Sequence, residues 1–302
     1  MKPAPFHYAA PDTEEQTLAL LRAYSSEAKL LAGGQSLVPL LNMRLARPSV
    51  IIDLNRVKTL DYIREHDGEV RIGAMTRQRN AERSAVVSRR LPLLAAALPF
   101  VGHLQIRSRG TVGGSIAHAD PSGELPAVLV ALNGSVVVRG RGRTRVIRGE
   151  DFFVSYLTTA MRPDELLTEV RVPAHDGKGT AFLEIARRHG DYALVGVAAV
   201  VTMDGNRCAH ARLAFTGVGP TPVRIAEAEA AVADTVLTDA VLADVRTLVS
   251  DRIDPEDDVH ATVQYRKDVA GVLAERALRV AAARAMQPTH DLADHGHHGG
   301  EI

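Results

Sequence analysis

Cysteine occurs once in the 302 residues, at Cys208. One thiol forms no disulfide within the chain and holds no iron–sulfur cluster unaided. Net charge is missing too, since 36 basic side chains cancel 36 acidic ones. That argues against nucleic acid as the main partner, because phosphate-backbone binding draws on a basic field. No apolar run reaches membrane-spanning length. The start, "MKPAPFHYAAPDTEEQTLALL", lacks the charged region and long apolar core of a secretory signal. A cytoplasmic protein is expected. Neither a GxGxxG fingerprint nor a GK[ST] P-loop is present. No solenoid repeat emerges, and no Ser-His-Asp or Cys-His pairing can be argued from spacing.

What remains is ordinary globular material, 46% hydrophobic and 24% charged, enough for two or three layers or two domains. A first segment runs to about Val57. "DTEEQTLALLRAY" reads as a helix opened by Asp12 or Thr13, with Leu18, Leu21 and Tyr24 on one face. Buried strands are read over Lys29–Ala32 and in "SVIIDLNRV", with a helix over Leu37–Leu45. From Leu60 a second segment offers hairpins around Asp67-Gly68 and in "SVVVRGRGRTRVIRG", a helix in "LPLLAAALPFVG" and a strand in "ELLTEVRVP". Past Pro173, "HDGKG" reads as a linker. Two strands then meet at Asp204-Gly205. Alanine-rich helices fill Ile225 to Ala285, the last with positions 269, 272, 273, 277 and 280 on one face. The expected division is residues 1–176, in subdomains of about 1–57 and 58–176, then 177–285. Residues 286–302 form a polar tail expected to be disordered.

Two glycine pairs carry the chemistry. In "LLAGGQSLVPLLNMRL", Gly33, Gly34, Gln35 and Ser36 stand between a strand and a helix, with Ser36 able to cap. In "RGTVGGSIAHADPSGEL", Gly113, Gly114 and Ser115 repeat the device, with Thr111 before and Asp120 and Glu124 after. Glycine lets a ligand approach the main chain, and a turn into a helix presents unpaired N–H groups. Such turns bind phosphate without lysine. Two of them can hold a dinucleotide diphosphate from opposite sides. A lone Gly-Gly is more often a plain reversal.

"AGGQSLVPLLNMRL" and "IRSRGTVGGSIAHADPSGELPA" closely resemble the two flavin loops of the FAD-binding (medium) subunits of molybdenum hydroxylases, of the carbon-monoxide dehydrogenase and xanthine dehydrogenase type. "DELLTEVRVP", "RRHGDYALVGVAA" and "YRKDVAGVLAERAL" resemble further segments, so Phe6 to about Ala285 is covered. The resemblance implies an α+β fold: a two-subdomain FAD-binding domain, then a C-terminal domain with a small antiparallel sheet and helices. It implies non-covalent FAD, with the diphosphate and ribose at Leu31, Ala32, Gly33, Gly34, Gln35, Ser36 and Leu37 and at Thr111, Gly113, Gly114, Ser115 and Ala117. Asp120 and Glu124 would face the ribityl chain, adenosine or ring edge. Leu166 or Leu167 would pack on the adenine or dimethylbenzene end, and Tyr192 would lie near the isoalloxazine. Relatives often carry a lysine where this chain has Glu184. The resemblance further implies an iron–sulfur small subunit with [2Fe–2S] clusters and a large subunit with the molybdopterin-type molybdenum cofactor, as a dimer of heterotrimers. This chain would take electrons from the clusters and pass them to an external acceptor. A stand-alone flavin oxidoreductase and a nucleotide-binding protein without electron transfer are the rival readings.

Other residues have plainer readings beside the functional ones. Tyr192 taken alone reads as a core tyrosine, and Asp120 equally as an Asx-Pro turn. Arg107 and Arg109 meet phosphate or form surface ion pairs. "RGRGRTR" reads as a solvated hairpin tip, Cys208 as a small buried hydrophobe, and "HGHHGG" as a tail without fixed metal geometry.

Overall fold

The computed structural model describes residues 2–140, 142–174 and 178–287. Three elements open a small parallel sheet: strand β1 (His7–Ala9), helix α1 (Glu14–Tyr24) and strand β2 (Ala28–Leu31). Helix α2 (Leu37–Asn42) and strand β3 (Val50–Asp53) follow, in the strand order β1-β3-β2. The central strand is apolar and buried from Val50 to Ile52, as a parallel strand covered on both faces requires, and ends in the polar Asp53. Thr13 caps α1, accepting from the Gln16 N–H, while the Gln16 side chain accepts from the Asp12 N–H. The buried face of α1 is Thr17, Leu18 and Leu21, and Tyr24 lies outside it.

Next come strands β4 (Ile63–His66) and β5 (Glu69–Gly73), joined at Asp67 and Gly68, both with positive φ as a tight hairpin turn demands. Short helices follow: α3 (Gln78–Glu82), α4 (Ala85–Arg90), α5 (Pro92–Ala97), α6 (Leu104–Arg109), α7 (Val112–His118) and α8 (Glu124–Ala131). Strands β6 (Ser135–Gly140) and β7 (Arg143–Arg148) and helix α9 (Gly149–Phe152) precede a hairpin of β8 (Phe153–Ser155) and β9 (Thr158–Thr159). Strand β10 (Leu166–Pro173) completes a sheet of order β4-β5-β10-β6-β7. "RGRGRTR" is less of a solvated tip than expected. Arg139 is held by Glu14 and Glu15 of α1, and Arg145 by the buried Glu165.

The last sheet runs β11 (Gly179–Ala186), β12 (Ala193–Asp204), β13 (Arg207–Thr216) and β14 (Val223–Arg224), all antiparallel. Helices α10 (Ala226–Val232), α11 (Asp239–Arg252) and α12 (Val263–Ala285) follow. This sheet is a middle layer. Phe182, Ala198, Val200 and Ala214 point into the core formed with α5 and α8. Ala181, Val197, Ala199, Leu213 and Phe215 point into the core formed with α10–α12. That two-sided burial explains why β12 is apolar over nearly its whole length. Cys208 of β13 is fully buried in the core formed with α10–α12.

Alanine and glycine let α12 dock closely. Its buried face centres on Ala270, Ala274, Ala277, Leu278 and Ala281, a rotation from the expected stripe that leaves positions 269, 272 and 280 at the margin. A Cβ on Gly179 of β11 would stand 1.7 Å from the Ala281 carbonyl oxygen. The buried Arg266 ties α12 to the sheet, donating to the carbonyls of Leu194 (2.6 Å) and Gly217 (3.1 Å) and pairing with Asp258. Residues 175–177 of the expected linker and 288–302 of the tail lie outside the described residues. Among the described residues no helix is long and apolar enough to cross a membrane.

The helix–strand contact at Gly179 generates a prediction. Gly179→Val should destabilise the chain by about 3 kcal/mol, the upper end of over-packing costs. A urea unfolding midpoint unchanged from wild type would mean that α12 does not pack this closely.

Candidate functional site

The two glycine turns, almost eighty residues apart in sequence, touch. A Cβ on Gly33 would lie 2.5 Å from the Arg109 carbonyl oxygen and 2.7 Å from the Gly110 Cα. Only a glycine permits that approach. The Ala32 methyl, in turn, lies 3.3 Å from where a Gly114 Cβ would stand.

The turns divide the work unequally. In the first, Gly34 has φ +75°, a value that L side chains rarely adopt. Among the described residues, the N–H groups of Gly33, Gly34, Gln35, Ser36 and Leu37 donate to nothing within the chain. Ser36 does not cap α2, so its hydroxyl is also uncommitted, and the Gln35 amide folds back onto the Gly33 carbonyl (3.1 Å). Successive unpaired N–H groups at a half-buried turn form an anion cradle.

The second turn was expected to offer the same, and it does not. The N–H groups at the start of α7 are spent internally. Val112 donates to Thr76, Gly113 to Ala74, Gly114 to the Thr111 hydroxyl at 3.0 Å and Ser115 to the Thr111 carbonyl. Thr111 is therefore a buried helix cap. Gly113 is needed because a Cβ there would meet Ala74 at 2.5 Å. Ser115 and the exposed Ala117 are left on the open side of α7.

A polar clasp that sequence reasoning missed holds the turns together. The Asn55 amide donates to the Ala32 carbonyl (3.0 Å) and accepts from the Arg77 guanidinium, which also donates to the Arg109 carbonyl. Asp53 anchors Asn55 and accepts from the Tyr8 hydroxyl at 2.6 Å. Burial works against the Asp53 carboxylate, but hydrogen bonds from Tyr8 and Asn55 hold it below the usual range. Burial, and then the neighbouring charge of Arg109, lower the pKa of Arg77. No motif spacing links Asn55 to Arg77, so only the fold reveals the clasp. Arg107 has neither expected role. It is buried, paired with Glu82, and donates to the carbonyls of Pro99, Val101 and Gly102.

The other end of the site is acidic. Helix α7 spans the gap, about 10 Å for its seven residues at ~1.5 Å rise each. Beyond it, Asp120 accepts from the Ser122 N–H in an Asx turn. That turn rests on the last sheet, where the Thr216 hydroxyl lies 2.7 Å from the Pro121 carbonyl oxygen and 2.9 Å from that of Gly123. Glu124 opens α8 almost fully buried, and burial pushes its carboxyl up to about 7. Glu184 of β11 is pushed up to about 8, by burial first and then by the charge of Glu124.

Tyr192 overturns the core-tyrosine reading: it is 67% exposed, just ahead of β12. Partial burial of its hydroxyl, then the charges of Asp120 and Glu124, raise its phenol above the ordinary range. Leu166 and Leu167 are enclosed in two separate cores. Their side chains therefore offer no open face to a ring, and a contact there falls to the main chain.

An amide cradle at one end, carboxyls and an exposed tyrosine at the other, and glycines where side chains would intrude are features that suit an extended dinucleotide. Comparison with known proteins makes the class specific. The chain belongs to the family of FAD-binding subunits of molybdopterin-dependent dehydrogenases. Residues 4–175 match the FAD binding domain in molybdopterin dehydrogenase, and residues 180–281 match the CO dehydrogenase flavoprotein C-terminal domain. It is 43% identical to the 6-hydroxypseudooxynicotine dehydrogenase complex subunit alpha of Paenarthrobacter nicotinovorans, over 98% of this chain and 100% of that one. It is 36% identical to the carbon monoxide dehydrogenase medium chain of Hydrogenophaga pseudoflava, over 94% and 99%. Among solved structures, carbon monoxide dehydrogenase from Hydrogenophaga pseudoflava superposes with a TM-score of 0.92 at 38% identity, over 94% of this chain and 99% of that one. Quinoline 2-oxidoreductase from Pseudomonas putida 86 does so with 0.92 at 32%, over 95% and 100%.

The residues present fit FAD: the unpaired N–H groups suit a diphosphate, and glycine leaves room for it. Gly34→Val, which forces a branched side chain into positive φ, should abolish FAD binding with the far-ultraviolet circular dichroism retained. Gly114→Val should do the same by displacing the Thr111 cap, 2.5 Å from the new Cβ. Stoichiometric FAD in either variant would show the diphosphate to lie elsewhere. Arg77→Leu should weaken FAD binding about ten- to a hundredfold by loosening the clasp, at about 1.5–3 kcal/mol per hydrogen bond to a charged group. Fluorescence titration with FAD measures it.

Proposed function

We propose that this chain is the FAD-carrying electron-transfer subunit of a multi-subunit molybdenum hydroxylase. It takes electrons from [2Fe–2S] clusters on a small partner subunit and passes them to an external acceptor. The observation that carries the reading is the unpaired N–H run from Gly33 to Leu37, pressed against a second glycine turn in a family member. Cys208, fully buried and alone, supports placing the clusters on another chain.

In this reading the first turn holds the diphosphate, with Leu31 and Ala32 at its approach and the Ser36 hydroxyl donating. Thr111, Gly113 and Gly114 shape the opposing wall, and Ser115 and Ala117 face the ligand from α7. Asp120 and Glu124 orient the ribityl chain and ring edge. Tyr192 covers the isoalloxazine and sets how an acceptor reaches it. Leu166 and Leu167 contribute main chain. FAD supplies the exchange between one-electron and two-electron transfer, and the protein positions it and tunes its potential. A large molybdenum subunit carries the substrate chemistry. The complex is a dimer of heterotrimers in the cytoplasm.

Acid precipitation of the native complex should release FAD. FMN, or no flavin from a folded complex, would sink the reading. With FAD stripped, substrate should still reduce the iron–sulfur centres while turnover with the external acceptor is lost. Retained turnover would remove this chain from the electron path. Tyr192→Ala should leave the melting temperature unchanged, weaken FAD binding by about 0.5–1.5 kcal/mol and alter flavin reoxidation. An unaltered reoxidation rate and flavin spectrum would take Tyr192 out of the site.

A further inference from the structure

The register of the last sheet fixes the direction of Glu184. Glu184 pairs with Gly196, and Gly196 with Thr216, one row on one face. Two residues along, Phe182, Ala198 and Ala214 form the next row, and these pack into the core shared with α5 and α8. Glu184 therefore points toward the FAD-binding domain. Gly196 has no side chain to fill the lane beside it. At the far end of the row, the Thr216 hydroxyl bonds the turn that delivers Glu124. That turn sets the start of α8 beside the same face of the sheet, close enough for the Glu124 charge to act on Glu184, whose Oε2 is buried without a hydrogen-bond partner.

We propose that Glu184 and Glu124 hold one proton between them at the ring end of the FAD site, and present a neutral carboxyl to the flavin where a lysine would present a fixed charge. The proposal rests on the placement of FAD given above. Two buried carboxylates repel, so their protons leave in steps that belong to the pair. Asp120 adds negative charge from the turn, with His118 of α7 3.8 Å from its carboxylate. Tyr192, just ahead of β12, lies within reach of the charges of Asp120 and Glu124. Arg107 of α6 lowers the Glu124 carboxyl only as a minor influence, its guanidinium being committed to Glu82 and three carbonyls. No fixed cation among these neighbours replaces the shared proton. With one proton, the pair would place a single negative charge beside the flavin in place of two.

The sign of the pH dependence follows. In the unfolded chain both carboxyls titrate near 4.5. In the folded chain the pair keeps a proton up to about 8. The native state then binds more protons across that window, so this contribution to stability falls as pH rises through it.

The test uses the full-length chain as wild type, Glu184→Gln and Glu184→Lys. FAD affinity is titrated from pH 6 to 9, and the melting temperature of the FAD-free protein is followed over the same range. Wild-type affinity should weaken about tenfold, the equivalent of one pKa unit. Glutamine, which keeps a neutral donor, and lysine, which keeps its charge, should both give shallower profiles than wild type, because only Glu124 then titrates in this range. Glutamine should also remove part of the fall in melting temperature. A glutamine profile that superimposes on wild type overturns the proposal. So does a glutamine variant that alters the melting profile alone, because the pair would then hold a proton away from the flavin. Failure of the underlying placement reads out separately, as FAD retained by Gly34→Val.

Discussion

The candidate site depends on one contact, the seating of Gly33 on the Arg109–Gly110 main chain. Two backbones approach there closer than any side chain permits. Polar main chain at such a junction must be satisfied or exposed to ligand. The clasp of Asn55 and Arg77 satisfies the carbonyls of Ala32 and Arg109. The N–H groups of Gly33 to Leu37 are left without a partner in the chain. Carbonyls are paired inward and amides are left outward, and that asymmetry makes the junction attract an anion.

The same division separates the two glycine pairs. They look alike in sequence, each a Gly-Gly with a serine one or two residues on, the first just before a helix and the second within the first turn of one. Physically they are opposites. The second turn spends its amides on Ala74, Thr76 and Thr111 and becomes a rigid wall. The first spends none and leaves a run of open donors. A wall and a cradle need the same residue type for different reasons: Gly113 for lack of space, Gly34 for its backbone angle.

Much of the architecture was legible in the residues. The hairpins at Asp67-Gly68 and Asp204-Gly205, the apolar run of β3 and the Thr13 cap all follow from local rules, and the structure has them. The paired loops were legible through their resemblance to flavin loops. Tertiary facts were not. The exposure of Tyr192 depends on where the segment before β12 lies, and nothing local to "GDYALV" states it. Arg107 could not be assigned to Glu82 from spacing, because helices α3 and α6 meet only in the fold. The rotated face of α12 reflects the close approach of Gly179 and Gly271 to their neighbours, a property of the partner surfaces.

The last sheet, buried on both faces, belongs at once to the core of the helices around FAD and to the core of α10–α12. Its inner face also carries Glu184 and supports the turn before Glu124. The two family modules therefore share a wall and do not behave as beads on a string. Melting of α12 on one side would uncover the sheet that carries Glu184 and the turn before Glu124 on the other.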